Sequence, residues 1–558
     1  MVSPRLRVQF EKLFEHYAGE NCEVQLDDIT EILFCTRRNA RIVLNKLEEE
    51  GWIEWCPSPG RGKLSQLIFK RSKSDISETL ARKYLEEGKI EQALAVLGHD
   101  AVKLSQVVEG YLGLQQQEGE QVIRLPYYRP LSMLNPRKPM RRSELHIARQ
   151  VFSGLIRLDE NEKIQPDLAH AWESITQLHW RFYIRPGIRF HNGDPLTVEC
   201  ILESLEDLKQ TELFSHISKV SSPANWVIDI YLDQPDIRLP LLLTESCAKV
   251  LPTQSVRSEN FDKLPVGTGP YKVIQNDNKR LILQANDNYF GFRPLLDRVE
   301  VWVIDKVHSS IVFPSLTKPK RGTMTEGVEL DPGCTYLLLN RKSGLARDEN
   351  WAVYFLNKLN SLNLFGHVSQ TQVTELGILP AHGIKPGWYH QPHSDTDITP
   401  PISGTVKIAY YSQHPMFPTL AQSIQKVLKG DGVSVELIKY DMDLPNSELV
   451  DIWIKPMGIT NHREDALAGW LLNYSDVKTF SLPEDYQLWK SLIAEWRSGE
   501  MDTFPSQILG KSLVEKMQII PMFHCWLGVS KDHCGSIQNA KCNALGWFDF
   551  SQVWVKPD

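Results

Sequence analysis

Residues 36–55 read TRRNARIVLNKLEEEGWIEW, and the period of their apolar residues changes partway along. After Thr36, a residue suited to capping, Ala40, Val43, Leu44 and Leu47 recur at helical spacing. Gly51 then stops the helix, as a left-handed C-terminal residue does. Trp52 to Trp55 alternate as a strand, and the Pro/Gly-rich turn Pro57 to Lys63 leads into a second short strand, Leu64 to Phe69. Upstream, Leu6, Phe10, Leu13, Phe14 and Tyr17 form the apolar stripe of a first helix. A short second helix follows, with Asp27 or Asp28 available to cap it and Ile29, Ile32 and Leu33 facing inward. Three helices and a hairpin in this order predict a winged helix-turn-helix over residues 1–73.

Charge placement points to double-stranded DNA as its partner. Residues 1–73 carry 12 Lys and Arg against 11 Asp and Glu, so the module is not basic overall. Its cations gather on the third helix and at the hairpin tip, and that segregation is the signal. The candidate DNA-binding residues are Thr36, Arg37, Arg38, Asn39 and Arg41 on the helix, with Arg61 and Lys63 on the wing. Guanidinium groups on the first turns of such a helix reach phosphates and guanine edges in the major groove. The run Gly60 to Ser65 imitates a phosphate loop but lacks its first glycine and has Leu64 where a magnesium-binding hydroxyl belongs.

The whole chain has 558 residues and a net charge of −7, too long for one core and too acidic for a uniform nucleic-acid coat. Every apolar run in the first twenty residues is interrupted by charge, and no spanning segment stands out, so a cytoplasmic protein with no membrane contact is expected. Nine scattered cysteines do not form a disulfide framework. His524, Cys525, His533, Cys534 and Cys542 match no paired zinc-ligand spacing, so no metal and no cofactor are implied. Residues 74–120 read as a helical connector carrying Ile76, Leu80, Tyr84, Leu85, Ala93, Leu94, Val96, Leu97, Leu104, Val107, Val108 and Tyr111, and end in a polar, hinge-like run from Gln115 to Glu120. That connector is a natural place for self-association.

From residue 121 onward strand and helix patterns alternate, the mark of an α/β architecture. Within it, HIARQVFSGLIRLDENEKIQPDLAHAWE (146–173) and WRFYIRPGIRFHNGDPLTVECILESLE (180–206) are followed by Pro265 to Tyr271 and by Asn286 to Phe290. These four ordered motifs resemble family 5 solute-binding proteins, the oligopeptide and nickel receptor class. A winged helix joined to this fold resembles the SgrR-type family of transcriptional regulators. The likeness runs over nearly the whole chain, including Tyr127 to Leu131, Arg141 to Glu144 and Gly546 to Phe550.

The resemblance implies a multidomain α/β chain: a winged helix-turn-helix followed by a two-lobed, periplasmic-binding-protein-like module of type II. Lobe 1 is expected over about 121–270 and 490–558 and lobe 2 over about 271–490, with Gly267 and Gly269 near the crossover. It also implies a regulator that senses a phosphosugar or related metabolite, activates a small-RNA gene under sugar-phosphate stress and represses its own gene. Contact with RNA polymerase and a homodimer belong to the same expectation. The peptide receptors' acidic motif is not reproduced across Ile452 to Asp465, which argues against a peptide ligand. For an anionic ligand, Tyr128, Arg129, Trp388, Tyr389 and Lys455 are the candidates by position. No HExxH, nucleophile elbow or dinucleotide fingerprint is present, so no enzyme is expected. The alternative is a cytosolic solute- or peptide-binding protein whose winged helix makes protein contacts, which would bind ligand without salt-sensitive affinity for DNA.

Overall fold

Thr36 is extended (φ −70°, ψ 154°), and its hydroxyl accepts a hydrogen bond of 3.4 Å from the Asn39 amide, starting the helix Arg37–Glu49 where the sequence reading puts it. At the other end Gly51 takes φ +69°, while the Gly51 and Trp52 amides donate to the Glu48 and Leu47 carbonyls. This is a Schellman closure that turns the chain into the wing. The computed structural model describes residues 4–58, 63–86, 89, 92–93, 96–97, 113–117, 119–253, 255–304, 329–365, 377–390, 398–401, 404–441, 444–527 and 537–556. The chain divides into two compact units, Met1–Tyr111 and Leu112–Asp558.

The first unit contains α1 (Pro4–His16), β1 (Cys22–Val24), α2 (Leu26–Ile32), α3 (Arg37–Glu49), β2 (Ile53–Cys56), β3 (Ser65–Phe69) and α4 (Lys73–Glu86). Its three strands pair antiparallel with β3 in the centre. Leu6, Phe10 and Leu13 of α1 close over Ala40, Val43, Leu44 and Leu47 of α3, and Trp52 meets Phe10 edge-on at 5.6 Å. Asp28 caps α2 by accepting from the Gln25 amide at 3.0 Å. α4 sends Ile76 into the same core, and the Val96 carbonyl accepts from Arg7 at 3.1 Å. The described part of the expected connector up to Leu97 therefore belongs to the winged-helix unit. Leu94, Leu104, Val107, Val108 and Tyr111 lie outside the described residues.

The polar run expected to be a hinge is instead half of a hairpin. β4 (Gly113–Gln117) pairs antiparallel with β5 (Glu120–Tyr127) around Gly119, whose φ is +86°. Among the described residues, three larger sheets and two two-stranded pairs build the second unit. The first has the order 271–276, 280–285, 298–303, β5, β4, with 298–303 parallel to β5. The second is a four-stranded antiparallel sheet in the order Ala169–Thr176, His179–Ile184, Val227–Leu232, Ile217–Ala224. The third places Ile519–Leu527 beside Thr335–Leu339, then Ile452–Pro456, Thr405–Tyr411 and Ser434–Tyr440.

This pairing moves both expected lobe boundaries. Residues 271–303 share a sheet with β5 and belong to lobe 1, while Ile519–Leu527 lies inside the lobe 2 sheet. Only the final stretch returns, with Trp547, Phe548, Phe550 and Val553 buried against Leu125 and Val299. Hydrophobic alternation marks a strand but not its partner, so the crossings could not be placed from pattern.

Helix α5 (Arg142–Val151) is buried almost throughout. Gly267 and Gly269 are not in the left-handed region that a hinge reading would favour. They let the chain pass close to the end of α5: a Cβ on Gly267 would lie 2.1 Å from the Val151 carbonyl oxygen. His191 locks this crossing, accepting from the Gly267 amide at 3.3 Å and reaching the Gly269 carbonyl at 3.0 Å. We expect Gly267→Ala to cost the second unit about 1–3 kcal/mol through overpacking against backbone that cannot yield. Calorimetry should show that unit's transition falling while the winged-helix transition stays put; an unchanged melt would refute the packing argument.

Candidate nucleic-acid interface and ligand cavity

α3 buries one face and leaves the opposite one open. Arg38, Arg41, Ile42 and Asn45 are all exposed and stand at i, i+3, i+4 and i+7, a single stripe opposite the buried Ala40, Val43, Leu44 and Leu47. Arg37 is placed differently. Its guanidinium forks onto the Asp27 carboxylate at the start of α2, bracing the two helices of the motif. Thr36 caps α3, and Asn39 is half-buried with its amide on that cap. Lys63 is exposed at the edge of the wing, while Arg61 lies outside the described residues.

The stripe offers two guanidinium groups, a carboxamide and an apolar methyl surface, the set that reads guanine, adenine and the thymine methyl in a major groove. Ile42 and Asn45 were missed by the sequence reading, whose helix candidates stopped at Arg41 in the first turns. Their spacing from Arg38 and Arg41 was the available signal.

None of the five candidate ligand residues lines the cavity described below. Arg129 is only 4% exposed, forks onto the buried carboxylate of Glu144, and sits 5.8 Å from the ring centre of half-buried Tyr128. Lys455 pairs with Asp476 at 2.9 Å and lies 4.8 Å from the Trp453 ring. Trp388 packs on Gly383 and Gly510, and Tyr389 stands 80% exposed beside His382. Both cations in this set have their charge answered within the fold.

The lobes are held together by polar contacts. Arg142 pairs with Asp331 and donates to the Met457 carbonyl at 3.3 Å. Buried Glu245 accepts from Thr460 at 3.1 Å and from Tyr474 at 3.2 Å. Beside these contacts opens a cavity of about 910 Å³, with His146 and Gln150 of α5, Ser153, Lys249 and Tyr289 on the lobe 1 side and Thr460 to His462 on the other. Its size suits a small organic ligand. Two buried polar atoms of cavity-lining residues have no hydrogen-bond partner, His146 Nε2 and Gln150 Oε1.

His146 stacks on Trp547 at 5.3 Å, its Nδ1 accepts from Asn543 at 3.3 Å, and burial pushes its pKa down to about 3. Burial likewise pushes His191 down to about 4, outweighing its bond to the Gly269 carbonyl. Among the described residues no group of His, Cys, Asp and Glu could hold a metal, and no helix is long and apolar enough to cross a membrane.

The first unit matches the family model "Sugar transport-related sRNA regulator N-term" over residues 5–119. Residues 163–311 match "Bacterial extracellular solute-binding proteins, family 5 Middle". Solved structures with this fold include OppA of Haemophilus influenzae in complex with the peptide RPPGFSPFR, at TM-score 0.63 and 16% identity over 79% of this chain and 100% of that one. NikA of Brucella suis in complex with Fe(III)-EDTA has TM-score 0.57 and 16% identity over 78% and 100%. The fold is thus a helix-turn-helix unit joined to a solute-binding receptor unit. Across the full length of both chains, the HTH-type transcriptional regulator SgrR of Yersinia pestis is 34% identical, and that of Pectobacterium atrosepticum is 35% identical. The chain belongs to the SgrR family of HTH-type transcriptional regulators.

His146 and His191 bind protons in the unfolded chain before they do in the folded one. Their contribution is therefore intact above pH 6.5 and is lost as pH falls from there toward their folded values. At pH 5.5 each should destabilise the receptor unit by at most roughly 1.4 kcal/mol. Urea unfolding at pH 7 and 5.5 measures this; equal or greater stability at pH 5.5 would contradict the buried neutral state.

Proposed function

We propose that this chain is a cytoplasmic transcriptional regulator whose winged helix reads duplex DNA and whose receptor unit senses a small metabolite without turning it over. The observation that carries the reading is the stripe of Arg38, Arg41, Ile42 and Asn45, exposed on α3 while the other face of the helix is buried in the core. Family membership supports the regulatory role, and the sRNA-regulator description of the first unit supports a small-RNA gene as the activated target. Repression of its own gene and a phosphosugar as the sensed metabolite complete the proposal.

In this reading Arg38 and Arg41 carry phosphate and base contacts, Asn45 and Ile42 add base discrimination, and Lys63 reaches the backbone beside the wing. Arg37 acts mainly by holding α2 against α3 through Asp27. Ligand in the cavity favours one arrangement of the receptor lobes, and that arrangement changes how well the first unit binds its site. A coupling of about 1–3 kcal/mol is sufficient for a several-fold to hundred-fold change in affinity. Activation adds a contact with RNA polymerase. A homodimer would show as two half-sites in the preferred duplex.

Selection from a random duplex pool with the full-length chain should converge on a motif, with affinity that falls steeply with salt. Arg38→Ala and Arg41→Ala should each weaken binding to that motif by about 1–3 kcal/mol with little change in melting temperature. Arg37→Ala should lower the stability of the first unit as well. No enriched motif, or wild-type affinity in both Arg38→Ala and Arg41→Ala, would sink the DNA-reading assignment.

A further inference from the structure

Helix α2 ends in a closure that glycine usually makes, and here a phenylalanine makes it. The Cys35 amide donates to the Thr30 carbonyl at 3.0 Å and the Phe34 amide to the Glu31 carbonyl at 3.2 Å, the paired bonds of a Schellman turn. Phe34 holds the left-handed position of that turn, at φ +50°. A bulky L side chain crowds its own backbone in this region, so the conformation costs energy that glycine avoids. The ring does not recover that cost by burial. Leu33 and Cys35 on either side are buried and half-buried, whereas Phe34 is 87% exposed. Lys12 of α1 lies with its ammonium 5.3 Å from the ring centre, a contact that is weak at an exposed site. A residue that strains the backbone and leaves an aromatic ring uncovered points to a partner that covers it.

Lys12 ties the ring to α1. Arg5, Val8 and Lys12 stand at i, i+3 and i+7 on the outward face of that helix, all exposed, Val8 by 50%. The inward face of α1 closes over Ala40, Val43, Leu44 and Leu47 of α3, the side opposite Arg38, Arg41, Ile42 and Asn45. Phe34 thus meets the helix that backs α3, and not the stripe that reads the groove. Glu15 follows Lys12 on α1, and Glu31 precedes Phe34 by three residues, both exposed. Carboxylates at these places oppose a phosphate backbone, but they suit the polar rim of a protein interface built around an aromatic anchor. Both observations favour a protein over duplex DNA as the occupant.

Resting on the reading of this chain as a DNA-bound activator, we propose that Phe34, with Val8 and Lys12 of α1, is the surface that touches RNA polymerase. Two residues beyond Phe34 stands Thr36, the cap of α3, so the patch is continuous with the DNA-reading element and is held beside the bound duplex. A protein that reaches it there is one that itself lies on the neighbouring DNA. The matching surface on the polymerase is an apolar notch that seats the phenyl ring, with carboxylates placed for Lys12 and Arg5.

The test is transcription in vitro by purified RNA polymerase holoenzyme, from templates that carry the duplex site selected by the full-length chain at several spacings upstream of a weak promoter. The wild-type chain should raise transcript yield about fivefold or more at a preferred spacing, as ordinary coupling between two bound partners allows. Phe34→Gly removes the ring and the backbone strain together, so its melting temperature should stay at wild type or rise. That variant should bind the duplex within about twofold of wild type, as an exposed substitution away from the groove does, yet lose most of the activation. Lys12→Gln should lose part of it, and Phe34→Tyr should keep it. Full activation by Phe34→Gly would overturn the assignment. So would a loss of activation matched by an equal loss of duplex affinity, which makes the ring a DNA contact, or by a lower mass in sedimentation, which places a second copy on the patch. A wild-type chain that binds its site but activates at no spacing sinks the polymerase surface alone, whereas one that selects no duplex sinks the DNA-reading assignment on which it rests.

Discussion

Helix α5 is the element on which the receptor unit depends, because ten residues serve four neighbours at once. Arg142 reaches lobe 2 through Asp331, and Glu144 answers the buried charge of Arg129. Ser143 bridges the Tyr127 and Trp547 side chains, at 2.6 and 3.1 Å, joining β5 to the returning C-terminal stretch. His146 stacks on that same tryptophan, and Val151 packs under Gly267 and Gly269. Such a helix cannot be shifted without leaving a buried charge unpaired, which costs several kcal/mol. The face of α5 toward the cavity is therefore presented from a rigid support, as a selective binding site requires.

The contrast between the two units follows from where their information lies. In the winged helix the decisive features are local: a threonine before a helix, a glycine after it, an apolar stripe between, and strands joined by a short turn. These are written within twenty or thirty residues, and the threonine cap, the glycine, the stripe and the two strands are found where the pattern put them. What escaped was the Asp27–Arg37 pair, ten positions apart, which ties the start of α3 to the start of α2. Ile42 and Asn45 escaped because the candidates stopped at the helix's first turns, although they complete the exposed stripe.

In the receptor unit the motifs marked turns and caps well. Gly193 takes φ +90°, and the Thr197 hydroxyl accepts from the Cys200 amide at 3.4 Å, as the FHNG turn and the following helix required. The lobe crossings were not legible, because strand partners hundreds of residues apart decide them. Of the candidate ligand residues, Arg129 and Lys455 look like anion donors in sequence but carry Glu144 and Asp476 as ion-pair partners in space.

These features describe a regulator in which a locally encoded DNA reader is joined to a receptor unit whose cavity is shaped by long-range contacts. The most direct test of that combination is fluorescence anisotropy of the full-length chain on its selected duplex, with and without a saturating sugar phosphate. The account predicts a shift in Kd of about fivefold or more, in the range of ordinary allosteric coupling. An unchanged Kd while the sugar phosphate is shown to be bound would contradict it, leaving a DNA-binding protein whose receptor unit does not report to its winged helix.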